Sequence, residues 1–293
     1  IGSLRPPTVR RPSPALCLTE AAMEELRIHL DLVALQANFF RRLQHQLDVI
    51  KLLEAGAKSV TEEQVAGQVE FGRFVPANGA QLPHEKARFE SLDWLLRAFL
   101  RDAIEGAGLF LDECLGCCAI MQASSKNMLH GKDVERLVND LPRTNHRLHL
   151  PQKLEKLQRE FGVVTRFNRH ILSLNRARTC VVHRLGTVTA LDADASGVLT
   201  VIFQRIDFVA VGQVTGAELH LEAGITIPEE SMLELRFVDH ERTFAVGSKL
   251  ALDAREIYDT IITLWRFGYA VARGVEVYGK SIGLELPMKE GAA

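Results

Sequence analysis

A short stretch near the middle of the chain carries the side chains best suited to chemistry. Between residues 175 and 183 it contains two arginines, Arg176 and Arg178, followed by His183. An imidazole can accept or donate a proton near neutral pH, whereas a guanidinium keeps its charge and can stabilise negative charge on phosphate oxygens. An Arg and a His near one helix end could therefore cleave an RNA phosphodiester without a metal ion.

Helical geometry relates the two arginines to the histidine. At about 100° per residue, Arg176 shares the face of His183 two turns away, with Thr179 between them, whereas Arg178 lies roughly 140° from His183. One Arg and one His supply only half of a general acid–base site, but two copies facing each other across a dimer axis would supply a base, an acid and two guanidinium groups. We therefore predict a homodimer formed through this helix, with catalytic residues Arg178, His183, Arg176 and Thr179.

The sequence Arg-Thr-Cys-Val-Val-His at 178–183 resembles the signature of the HEPN superfamily. Members of that superfamily carry an Arg, four to six further residues and a His near the end of the last core helix, a spacing that both Arg178 and Arg176 satisfy. The resemblance implies a helical, usually dimeric protein and a metal-independent RNase that leaves cyclic phosphate ends, with the site composed at the dimer interface. Thr179 departs from the pattern, since Asn, Asp or His often follows the Arg in active relatives.

Other interpretations of the motif remain open. Arg178 and His183 could hydrogen-bond the carbonyl groups at the end of their helix and fix the turn that follows. The chain would then be a non-catalytic HEPN-like dimerisation or protein-interaction module, because superfamily members without nuclease activity are expected to keep the fold.

Positive charge is concentrated around the motif. The stretch 143–184 contains ten Lys or Arg against two Glu, whereas the rest of the chain has 25 basic and 35 acidic residues, and the whole chain has a net charge of only −2. Such asymmetry is typical of a site for a polyanion, although a solvated helix face would look the same. We predict that RNA is the partner and that Arg166, Arg169 and Arg184 bind it.

Other candidate sites have weaker patterns. Cys114, Cys117 and Cys118 lie in an apolar helical stripe without a second Cys pair or a His at ligand spacing, which favours buried thiols over a metal or redox site. His146 and His149 lie in a polar connection and could contact phosphate or be ordinary surface residues. The sequence contains no phosphate-binding Gly loop, paired acidic metal site or nucleophile elbow, so we predict no metal and no cofactor.

The elements that position these residues are mostly helices. Apolar residues recur at three- and four-residue steps over long stretches, which predicts amphipathic helices, whereas alternation and β-branched residues after Gly186 predict a small antiparallel sheet. The fold class is therefore mainly α: a helical HEPN-like bundle with a small antiparallel β-sheet appendage and a C-terminal helix. The predicted helices lie at 19–54, 61–66, 83–123, 151–160, 166–184 and 253–275, and the sheet lies within 187–250.

This pattern divides the chain into three regions. Residues 1–18 are Pro- and Arg-rich and are predicted to form a flexible tail, 19–186 the helical core, and 187–293 a sheet and a helix that pack on that core. The five cysteines are an odd number without secreted-scaffold spacing, which favours a reducing, cytoplasmic compartment. No apolar run approaches the roughly 20 residues of a membrane helix, so no membrane partner is expected.

Overall fold

A computed structural model describes residues 30–66, 82–126, 136–221 and 224–284. In these ranges, seven α-helices and three strands confirm the predicted mainly α fold with a small antiparallel sheet and a C-terminal helix. The predicted tail and the start of the first predicted helix lie outside the described residues. The helices are α1 (Leu32–Ser59), α2 (Glu62–Ala66), α3 (His84–Ser125), α4 (Leu141–His146), α5 (Leu150–Phe161), α6 (Asn168–Arg184) and α7 (Ala254–Ser281), with a π-helical turn (Arg136–Asp140) before α4. The strands are β1 (Val198–Gly212), β2 (Glu218–His220) and β3 (Ser231–Ala245).

The three longest helices, α1, α3 and α7, pack against one another in the core. Phe39 of α1 stacks on Phe110 of α3 with ring centroids 4.5 Å apart, and both rings are buried. Gly268 of α7 lies against Phe39 so closely that a Cβ at this position would be 2.6 Å from the ring. One hydrophobic cluster joins the N-terminal helices, β1 and α7. Among the described residues, no helix combines the length and apolarity needed to cross a bilayer.

Local hydrogen bonds fix the helix ends that matter for the site. A capping box begins α7, in which Glu256 N–H donates to Asp253 Oδ1 at 2.8 Å and Asp253 N–H donates to Glu256 Oε2 at 2.9 Å. The end of α6 is set by Leu185 and Gly186, which both adopt left-handed backbone conformations (φ 50° and 77°). Gly186 N–H donates back to the Cys180 carbonyl at 3.2 Å, which satisfies a carbonyl of the last turn.

The sheet has the order β2-β1-β3, with both pairs antiparallel. β3 pairs with β1 along its whole length, whereas β2 pairs only with residues 209–211. Two other backbone N–H groups of β1 donate to hydroxyl groups of neighbouring helices. Ile202 N–H donates to Ser173 Oγ of α6 at 2.9 Å, and Gln204 N–H donates to Thr263 Oγ1 of α7 at 2.7 Å. The sheet is therefore attached to both helices through its own backbone.

A bidentate ion pair stabilises the turn between α6 and β1. Arg184 Nε donates to Asp192 Oδ2 at 2.7 Å, and its Nη2 donates to Oδ1. Thr189 donates to Asp192 Oδ2 through its N–H at 2.9 Å and its hydroxyl at 3.0 Å. Burial raises the pKa of the Asp192 carboxyl, but the hydrogen bonds from Arg184 and Thr189 outweigh burial and hold that pKa below its ordinary value.

Asp192→Asn should lower the free energy of unfolding by about 2 kcal/mol at pH 7, because the Arg184 guanidinium loses its counter-charge. The pKa of Asp192 is lowered in the folded state. Its contribution is therefore present above the unfolded pKa of about 3.9 and is lost as the pH falls through the folded value. Urea denaturation should show that the difference in free energy of unfolding between wild type and variant becomes smaller below about pH 4.

The matched control is Asp102→Asn, which removes an exposed partner of Arg101. We expect this change to alter the free energy of unfolding by less than about 0.5 kcal/mol, since exposed ion pairs contribute little. An Asp192→Asn effect that stayed constant from pH 7 to pH 3 would contradict the role assigned to its charge.

Candidate functional site

The Arg/His motif lies on one regular helix. α6 remains α-helical through Arg184, with Ala177, Cys180 and Val181 buried against the core. His183 is exposed, and Arg178 and Thr179 are half-buried. The last two turns of α6 therefore present the motif at the edge between core and solvent.

Arg178, Thr179 and His183 line an open cleft of about 460 Å³. Two other segments contribute to this cleft. One is the middle of α3, and the other is the segment that runs from the end of α4 into α5. The side chains from these two segments that could contact a polar ligand are Glu105, His146, Arg147, His149 and Lys153.

Sequence reasoning did not place His146 and His149 beside the motif. The polar connection containing them includes α4, which is too short to show an apolar period. Tertiary contacts hold α4 in place, since Lys156 Nζ of α5 donates to the buried Asn145 Oδ1 at 2.9 Å. The structure thus brings three imidazoles into one cleft. For two of them, those of His146 and His149, the sequence left open whether they contact phosphate or are ordinary surface residues.

A buried ion pair supports the wall opposite α6. Lys153 Nζ donates to Asp112 Oδ2 at 2.8 Å and to the Gly108 carbonyl at 3.2 Å, and both charged side chains are largely buried. His146 Nδ1 lies 3.4 Å from the same Oδ2. Asp112 Oδ1 is buried and has no hydrogen-bond partner within the described part of the chain. The carboxylate therefore links a buried ammonium to an exposed imidazole at the cleft.

Arg178 does not cap its own helix. Its Nη2 donates to Glu105 Oε2 of α3 at 3.0 Å, which is its one side-chain acceptor among the described residues. The Leu185 carbonyl beyond the helix end instead accepts from Lys249 Nζ at 3.0 Å. A guanidinium has five N–H donors, so Arg178 can bind a further anion. The capping interpretation is therefore wrong for Arg178.

The structure does not bring Arg176 to the cleft. Because α6 is regular, Arg176 points in nearly the same direction as His183, as predicted, but it lies about 10 Å away along the helix axis. The positive charge of Arg176 instead contributes to lowering the pKa of Asp194 in the turn before β1, after larger contributions from hydrogen bonds with Ser196. Of the two arginines of the motif, Arg178 is thus the one that shares the cleft with His183.

The three arginines predicted to bind nucleic acid also lie outside the cleft lining. Arg166 lies over the Phe167 ring at 4.9 Å, before the first turn of α6. Arg169 pairs with Asp239 and Glu241 of β3 at 3.4 and 3.1 Å. Arg184 is held by Asp192, as described above. Their role in binding RNA stays a prediction, and it concerns a surface separate from the cleft.

The cysteines of α3 are buried thiols. Burial raises the pKa of Cys114 and Cys118 and raises that of Cys117 to about 12, so all three remain protonated at neutral pH. They fill space in the core as small apolar side chains. In the parts of the chain that the structure describes, no group of three or more His, Cys, Asp or Glu is arranged to hold a metal ion.

The chain matches no protein-family model, no curated protein and no solved structure. The resemblance to the HEPN superfamily therefore rests on the Arg/His motif and its helical setting.

Proposed function

We propose that this protein binds RNA in the cleft and cleaves it without a metal ion, as a HEPN-like ribonuclease. The observation that supports the proposal is the shared cleft, in which Arg178 and His183 of α6 lie with the exposed Arg147 and with two further imidazoles. Cationic side chains can bind phosphate, and imidazoles can transfer protons near neutral pH. This combination matches the requirements of phosphodiester transesterification.

The proposed reaction uses the 2′-hydroxyl of RNA as the nucleophile. A base removes the 2′-hydroxyl proton, the 2′-oxygen bonds to phosphorus, and the bond from phosphorus to the 5′-oxygen breaks. The departing 5′-oxygen takes a proton from an acid, which leaves a 2′,3′-cyclic phosphate and a 5′-hydroxyl. His183 serves as one of the two proton carriers. Arg178 stabilises the charge that builds on the non-bridging oxygens, and Thr179 borders the same part of the cleft.

A homodimer formed through α6 is part of the proposal. Exposed apolar side chains beside the motif, Leu109, Val182 and Leu185, give this surface area that a second copy could cover. Light scattering at micromolar concentration tests the dimer, and a monomer would remove the argument that two copies of the motif form one site.

RNA affinity should depend on charge inside the cleft. Arg147→Glu should weaken binding of a 2′-O-methyl RNA, which cannot be cleaved, by about tenfold and make binding less salt-dependent. Glu105→Gln should strengthen binding severalfold, because Glu105 competes with phosphate for Arg178. Fluorescence anisotropy across a KCl series measures both effects.

Lys51→Glu is the control, since it makes the same charge change on an exposed part of α1 outside the cleft. Arg166→Glu separately tests the predicted basic surface at the start of α6, because reversing Arg169 would also break its ion pairs with β3. An RNA affinity that does not change with salt concentration would argue against RNA in this cleft. Equal losses of affinity for Arg147→Glu and Lys51→Glu would argue against it as well.

A non-catalytic interaction module is the second candidate function. An apolar groove of about 590 Å³ between α1, α7 and the sheet supports it, because exposed aromatic side chains are common at protein interfaces. Its aromatic lining residues are Phe40, Phe237, Tyr258 and Trp265. Absence of cleavage of any RNA by the wild-type protein, with folding and the dimer intact, would favour this candidate.

A further inference from the structure

We infer that one chain holds both proton carriers of the proposed reaction, with His146 as the second imidazole beside His183. The inference rests on the proposed cleavage reaction, and it replaces the second copy of the motif with a residue of the same chain. A single Arg/His motif supplies one imidazole, so the motif alone requires a second copy of the chain. The cleft supplies another imidazole from α4 of the same chain.

The contact with Asp112 distinguishes His146 from the other two imidazoles of the cleft. Asp112 Oδ2 lies 3.4 Å from His146 Nδ1, and a carboxylate that accepts from Lys153 favours the His146 tautomer with its hydrogen on Nδ1. This contact leaves Nε2 as the nitrogen that exchanges a proton with substrate. In hydrolytic triads, a buried carboxylate that accepts from the imidazole N–H sets the tautomer and orientation of the ring. Asp112 is therefore a positioning residue for His146.

Burial and exposure fit these two roles. The Asp112 side chain is only 11% exposed and is anchored by Lys153, whereas the His146 side chain is 67% exposed. The carboxylate is thus buried in the wall and paired with Lys153, while the imidazole remains accessible to RNA. The other charged or titratable groups that line this cleft are Glu105, Arg147, His149, Arg178 and His183.

His149 lines the same wall but lacks this support. Its backbone N–H donates to Gln152 Oε1 at 2.9 Å at the start of α5, and within the described residues no carboxylate contacts its ring. His149 is therefore an imidazole of the same cleft without a positioning carboxylate, and the motif's second proton carrier is assigned to His146 rather than to His149.

Single-turnover cleavage of one RNA in EDTA tests the inference. His146→Ala should slow cleavage by about 100-fold or more at unchanged melting temperature. His220→Ala should stay close to the wild-type rate, because it removes an equally exposed imidazole that lies 3.4 Å from a carboxylate, that of Asp207, but outside the cleft. Wild-type rates for His146→Ala would overturn the inference. They would leave the proposed function standing, which fails separately if the wild-type protein cleaves no RNA.

A second substrate separates proton transfer from a structural effect. In this RNA, sulfur replaces the 5′-bridging oxygen at the cleaved bond, and the departing thiolate needs no proton. Whichever imidazole is the acid becomes dispensable, so one of His146→Ala and His183→Ala should recover on this substrate and the other should not. Recovery of both variants, or of neither, would overturn the assignment of two proton carriers.

Mixing the variants tests whether the two imidazoles belong to one chain. An equal mixture of His146→Ala and His183→Ala contains no chain with both histidines. Its activity should therefore equal the mean of the two variants measured separately at the same total protein concentration. Activity well above that mean would place the two imidazoles on different chains of a dimer and overturn the single-chain site.

Discussion

His183→Ala is expected to slow RNA cleavage in EDTA by about 100- to 10,000-fold, because the variant lacks one of the two groups that move protons in the reaction. The fold should survive this change. The His183 side chain is exposed at the end of α6 and makes no side-chain hydrogen bond within the described part of the chain. Gel assays under single-turnover conditions measure the cleavage rate, and the melting temperature shows whether the variant remains folded.

The arginines provide the internal comparison. Arg178→Ala should slow cleavage by about 100- to 1,000-fold, because Arg178 lines the cleft and can hold charge in the transition state. Arg176→Ala should change the rate little, since Arg176 lies outside the cleft. Early melting of His183→Ala, together with a wild-type protein that cleaves no RNA, would instead make His183 a structural residue and favour the interaction module.

Phe39→Ala should lower the free energy of unfolding by about 3–5 kcal/mol, the range found when a large buried aromatic ring is removed. Phe39 is 1% exposed, stacks on Phe110 of α3 and packs against Gly268 of α7. Its loss leaves a cavity where three helices meet. Urea denaturation followed by circular dichroism measures the change.

Gly268→Ala tests the same contact from the other side. A Cβ at Gly268 would lie 2.6 Å from the Phe39 ring, so the substitution should cost about 1–3 kcal/mol in the wild-type background and less in Phe39→Leu. Gly106→Ala is the control, because a Cβ there meets nothing within 4 Å and should raise helix stability. Fully additive effects of the Gly268 and Phe39 changes would mean that the two residues do not compete for space.

Helices with a continuous apolar stripe were predictable from local sequence. The prediction of 83–123 for α3 and of 166–184 for α6 came within a few residues of the observed ends, because apolar spacing and turn residues mark both. The last helix extends six residues past its predicted end at 275. Glu276 interrupts the apolar pattern, but it is buried and accepts hydrogen bonds from Arg273 and Lys280. Ion pairing thus continues the helix where the apolar pattern stops.

The second half of the candidate site was not predictable in this way. The position of His146 depends on α4 and on the contacts among Asp112, Lys153 and His146. Asp112 is 41 residues from Lys153 in sequence, and no local pattern reports a pairing over that distance. The rotation of 100° per residue likewise favoured Arg176 as the partner of His183. That rotation gives the direction in which a side chain points, but not where along the helix a neighbouring segment forms a cleft.

The backbone bonds of β1 tie the sheet to segments that are synthesised both before and after it. Ser173, which accepts from Ile202, precedes the strand, whereas Thr263 follows Gln204 by 59 residues. A nascent chain that has reached β3 therefore lacks the partner for Gln204 and the apolar face of α7. Unpaired strand edges and uncovered apolar surface favour association between chains. The need for chaperone protection should accordingly be greatest after β3 has been synthesised and before α7 has been. It should end when α7 packs against the sheet.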